Sequence, residues 1–133
     1  MKVTQMKKLS YSLLVGLISL VGNSTLVYAL DKHATEAEKH LEQAVESGNK
    51  GDAAGAASHA EKAEQHVIEE NKEKPYTQPS KHIAGEDTKA DHDKATFGEI
   101  EKAKGHAKKG HSKEAADAAK KAETHLQEKE QTK

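Results

Sequence analysis

Histidine is the residue in this chain whose type and spacing could do chemistry. There are nine in 133 residues, beside one Phe and no Trp. His33 and His40 are seven apart, as are His59 and His66. Seven residues are about two helical turns, so each such pair shares a helix face at a separation of ~10 Å along the axis. One ion cannot bridge that gap, because metal–imidazole bonds are about 2.0 Å long. Each ring therefore needs a partner from another helix, and a hairpin supplies one. The turn Gly48-Asn49-Lys50-Gly51 places residues whose numbers sum to 99 at one height. His33 then faces His66, and His40 faces His59. In the second half His92 with His125, and His106 with His111, share the sum 217, centred on Lys108-Lys109 beside Gly110. On antiparallel helices 8–10 Å apart, opposed imidazoles could chelate one ion.

Carboxylates stand at helical-neighbour spacing from these rings and could complete the ligand shells. Glu36 is three after His33 and four before His40; Glu69 and Glu70 follow His66; Glu114 follows His111; Glu128 follows His125. His82, four before Glu86, reads as an ordinary loop residue. The chain has no Cys, and its two Met are Met1 and Met6, so thiolate sites, iron–sulfur clusters and c-type haem attachment are excluded. Nitrogen and oxygen donors without sulfur suit Cu(II), Ni(II) or Zn(II), and the affinity order favours Cu(II).

The elements that must position these rings are helices. Ala34, Ala37, Leu41, Ala44 and Val45 recur at helical spacing over about Thr35 to Ser47. Asp52 reads as the N-cap of a second helix to about Asn71, with Ala53, Ala56, Ala57, Ala60, Ala63 and Val67 on one face. Pro75 and Pro79 mark a linker. A third helix from about Ala90 carries Phe97, Ile100, Ala103 and Ala107. Gly110 breaks it, and Ser112 is expected to cap a fourth with Ala115, Ala119, Ala122 and Leu126. No strand pattern competes. A shift of 59 residues takes His33 to His92, Leu41 to Ile100, Gly51 to Gly110 and His66-Val67 to His125-Leu126, an internal repeat. The expected fold is all-α: two Ala-rich helical hairpins, about 33–72 and 89–130, joined by a linker over 73–88, in a small four-helix bundle. Large apolar residues are few, so the core is thin and its stability marginal.

The first 29 residues read as a cleaved signal peptide. Lys2, Lys7 and Lys8 precede a short apolar stretch from Leu9 to Val21, and Val27-Tyr28-Ala29 is a small-residue cleavage site. The mature domain would span 30–133, periplasmic or secreted, with no stable membrane insertion. It keeps 18 Lys against 22 acidic residues, a net charge of about −4 that argues against nucleic acid. A monomer with metal ions as its partners is expected. No nucleophile elbow, phosphate loop or His-Glu-x-x-His motif is present, so enzyme function is not expected. The composition alone also fits a stress- or desiccation-protective Ala/Lys/Glu helical protein, which would leave the height-matched histidines unexplained.

The stretches His59-Ala60-Glu61-Lys62-Ala63-Glu64-Gln65-His66 and Gly105-His106-Ala107-Lys108-Lys109-Gly110-His111 resemble the bacterial small metal-binding protein family, and the resemblance extends over essentially the whole mature chain. It implies a periplasmic four-helix protein that binds several divalent ions, chiefly Cu(II), for buffering or tolerance. The chain departs from the pattern at Glu99 and Ala118, where the 59-residue repeat would place another His pair.

Overall fold

The computed structural model describes residues 32–75 and 88–132; the leader read over 1–29, His82 and most of the linker lie outside the described residues. Four α-helices account for nearly all of it: α1 Lys32–Asn49, α2 Ala53–Glu73, α3 Lys89–Lys108 and α4 Ser112–Gln131. Each buries one residue in every three or four. The seams are Ala34, Ala37, Leu41, Ala44 in α1; Ala56, Ala60, Ala63, Val67 in α2; Thr96, Ile100, Ala103, Ala107 in α3; and Ala115, Ala119, Ala122, Leu126 in α4. This alternating 3,4 spacing keeps a narrow apolar stripe facing the partner helices, as in a supercoiled bundle. Packing runs around a ring, α1 on α2, α2 on α3, α3 on α4 and α4 back on α1, and of the two diagonals α2–α4 is closer than α1–α3. The described residues thus form an all-α up-down-up-down four-helix bundle.

Both hairpin turns end their first helix the same way. Gly51 and Gly110 adopt φ of 83° and 76°, a left-handed conformation that costs a glycine little. In each turn the residue after the glycine donates back five positions, Asp52 N–H to the Ser47 carbonyl and His111 N–H to the His106 carbonyl, both 2.9 Å. This closes the helix with a Schellman motif. Gly48 is buried, and a Cβ there would collide with the Ser112 carbonyl and the Ala116 side chain, so α1 approaches α4 closely at that end.

The helix starts differ. The Asp52 side chain accepts from Gly55 N–H at 2.8 Å, the capping expected of it. Thr88 opens α3 through a reciprocal capping box with Asp91, a start the sequence reading did not identify. The fourth helix includes Ser112 as its first residue; the N-cap is His111, whose side chain makes no capping bond. At the seam positions nearest the chain ends of the bundle the apolar pattern gives way to charge. Glu70, Asp93 and Lys129 are all buried there. The Lys129 ammonium, with no exposed surface, lies 3.0 Å from Glu70, 2.8 Å from Asp93 and 2.7 Å from the Asn71 side-chain oxygen. The Asn71 amide in turn donates to both Asp93 oxygens. This cluster ties α2, α3 and α4 together.

Candidate metal centre

The histidines flank the apolar seam rather than entering it. Among the described residues they are half-buried, except His111, which is exposed. In hairpin 1 the turn brings the expected partners together. The Nδ1 atoms of His33 and His66 are 3.2 Å apart, and those of His40 and His59 are 3.3 Å apart. Two nitrogens bound to one ion at about 2.0 Å and a tetrahedral angle stand about 3.3 Å from each other. Each pair therefore already has the bite of a chelate. One ring of each pair can donate its Nδ1–H to the other's lone pair, the direction depending on the tautomer.

Further contacts in this hairpin were not anticipated. The His40 and His66 rings stack with centroids 5.6 Å apart and planes at 16°, so the two heights communicate diagonally. Glu36, His40 and His66 each place one ligand atom within 4.8 Å of the others, a three-donor group that could hold an ion. His33 turns its other nitrogen to Glu73 at 3.4 Å, and His40 Nδ1 lies 3.0 Å from Gln43 Oε1. Such outer partners fix ring orientation. Gln43 was available as an i+3 neighbour of His40. Glu73 was hidden because α2 runs two residues past Asn71, its expected end.

Burial, followed by the neighbouring His59, His66 and Lys62, holds the His40 pKa below its ordinary 6.5; the Gln43 hydrogen bond opposes the shift. The net effect keeps this ring neutral, the form that ligates metal.

Hairpin 2 is built differently. The His92 and His125 rings lie 6.5 Å apart, and Glu128 sits between them, one of its oxygens 3.2 Å from His92 Nδ1 and 3.0 Å from His125 Nδ1. These three form the second group able to hold an ion. The His106 and His111 rings are 6.2 Å apart beside the turn, and His106 Nδ1 is buried without a hydrogen-bond partner. His106 also lines an open groove of about 240 Å³ with Glu99, Glu114, Asp117, Ala118 and two Lys. Glu114 thus reaches the His106 level from the groove wall. Ala118 stands where the repeat would have set an imidazole, and the space it leaves belongs to this groove.

Glu70 is engaged elsewhere. Its carboxyl group is buried in the Lys129 cluster rather than gathered with His66. Burial, with a hydrogen bond that the protonated acid donates to neighbouring Glu130, pushes its pKa up to about 7, although Lys129 pulls the other way. The one ammonium is shared between Glu70 and Asp93, so its pull on Glu70 does not overcome burial.

The fold and these groups define a histidine-rich four-helix bundle with nitrogen and oxygen donors gathered for metal ions. A family model described as small metal-binding protein matches residues 6–129, nearly the whole chain, and the chain belongs to that family. No curated protein matches its sequence.

Proposed function

We propose that this protein is a periplasmic or secreted, monomeric buffer or store for divalent metal ions, Cu(II) foremost, acting without catalysis. The reading takes 1–29 as a cleaved leader and 30–133 as the mature metal-binding domain, with hairpins over about 33–72 and 89–130. The observation that carries it is the spacing of the paired imidazole nitrogens, 3.2 and 3.3 Å, which matches the bite of one ion. The leader pattern supports export. The donor chemistry, imidazole and carboxylate with no sulfur after the leader, supports Cu(II) over soft monovalent ions, with Ni(II) and Zn(II) following in affinity. Partly exposed sites on a helix surface suit reversible loading rather than enclosure of a substrate.

Calorimetric titration of the metal-stripped protein with Cu(II), Ni(II) and Zn(II) tests this. The expected result is binding of more than one ion, tightest for Cu(II). A variant with the eight helix histidines replaced by Ala should lose it. Equal binding by that variant would overturn the reading.

A further inference from the structure

The four rings of hairpin 1 form a ladder. They alternate between helices in the order His33, His66, His40, His59, with successive centroids 5.5, 5.6 and 5.5 Å apart. Each inner ring, His66 or His40, therefore has a neighbour on either side, and each outer ring has one. A neutral imidazole carries a single lone pair, because its other nitrogen bears the proton. An inner ring can then serve only one ion at a time. The central group of Glu36, His40 and His66 draws on both inner rings. The two transverse pairs also need them, one each.

We infer that hairpin 1 holds divalent metal in two mutually exclusive ways: one ion at the centre, on His40, His66 and Glu36, or two ions at the ends, on His33 with His66 and His40 with His59. This inference rests on the metal-binding reading and adds the stoichiometry and its regulation by metal concentration. At low metal the central arrangement wins, since it gives one ion three protein donors while each end gives two. At high metal the end arrangement wins, since it accommodates twice as many ions. Conversion requires the first ion to leave its diagonal position and exchange one histidine for another. The second ion consequently binds more weakly than the first, and the two end ions, at heights seven residues apart, lie ~10 Å from each other. The hairpin thus keeps a tight first equivalent and a looser, more readily surrendered second one.

The experiment uses the full chain with His92, His106, His111 and His125 replaced by Ala, so that Cu(II) reports on hairpin 1. Circular dichroism of the metal-free variants confirms the helices. Calorimetry should show two steps, the second at least tenfold weaker. Electron paramagnetic resonance should show an isolated Cu(II) at one equivalent and dipolar broadening between neighbouring ions at two. Adding His33→Ala and His59→Ala should preserve the first step within about threefold and abolish the second. Adding His40→Ala and His66→Ala should remove the first step. Two equal, independent ions from the first addition, a single ion at saturation, or loss of the first step in the His33/His59 variant would each overturn the ladder while leaving metal binding intact. Absence of any binding in the starting variant would overturn both the ladder and the assignment of metal to this hairpin.

Discussion

Replacing Glu70 by Gln tests the buried charge cluster independently of any metal. Glu70 is 3% exposed and its pKa is pushed up to about 7, against 4.5 for an ordinary carboxyl group. Between those values the folded protein holds a proton that the unfolded chain has released. Stability therefore falls as pH rises through that window, being greatest near pH 4.5 and fully reduced above 7. At 1.36 kcal/mol per pKa unit the difference is about 3 kcal/mol. Gln resembles the protonated acid: it can still accept from Lys129 and donate to Glu130, but it does not ionise. Glu70→Gln should match the wild type near pH 5 and exceed it by up to about 3 kcal/mol at pH 8. Urea denaturation of the metal-stripped proteins at several pH values gives both curves. Their difference removes the histidine contribution, which for His40 runs the other way: its lowered pKa makes stability fall as pH drops below 6.5. Parallel curves, or a Gln variant that is less stable at pH 8, would mean that the Lys129 ion pair outweighs desolvation and would refute the argument.

Three further outcomes follow from the same geometry. Lys129→Met should destabilise the metal-free bundle by about 3–5 kcal/mol at pH 8, since it strands buried carboxylates. The loss should shrink near pH 5.5, where Glu70 already carries a proton, and denaturant melts at the two pH values measure it. His111→Asp should restore the cap that Asp52 provides in the first hairpin, stabilising the protein by about 1 kcal/mol while removing the His106/His111 contribution to Cu(II) uptake; melts and titration together read both effects. Acidification from pH 7 to 5 should lower Cu(II) affinity at a two-histidine site by about two to three orders of magnitude, as protons compete for both rings. Titration at the two pH values checks this, and unchanged affinity would assign the ions to carboxylates.

Much of this was legible in the sequence because helix periodicity and hairpin symmetry are both local rules. Leu41, Val67, Ile100 and Leu126 are all fully buried, where the 3,4 spacing of the alanines around them placed the seam. The transverse pairs followed from the turn glycines, since a short hairpin leaves little freedom of register. The diagonal His40–His66 stack was not legible, because residue sums fix height but not the lean of a ring along its helix. Glu70 was misplaced for a related reason. At four residues from His66 it reads as a neighbour, yet it is also three from Val67 and so continues the buried seam. Lys129 extends the Leu126 seam in the same way, and Asp93 precedes Thr96 by the same step. A charged residue at a seam position signals a buried partner, but the partner comes from other helices and only the assembled bundle names it.

That cluster also bears on how the metal groups are held. Every described histidine pair lies within one hairpin, so an ion held by such a pair would staple the two arms of that hairpin and leave the contact between hairpins to other residues. Lys129, Glu70, Asn71 and Asp93 make that contact at one end, and the Lys104–Glu64 pair at 2.8 Å supplements it between α2 and α3. Asp93 directly follows His92, and Lys129 directly follows Glu128. The 2.8 Å ion pair between them therefore sets the separation of the α3 and α4 backbones at the level where His92, His125 and Glu128 converge. An alanine-lined core is too thin to hold that spacing by packing alone. A buried ion pair seldom adds net stability over an apolar substitute, but its directional bonds hold registry. The charge cluster is thus best understood as the brace that keeps the hairpin 2 donors at ligating distance whether or not an ion is bound.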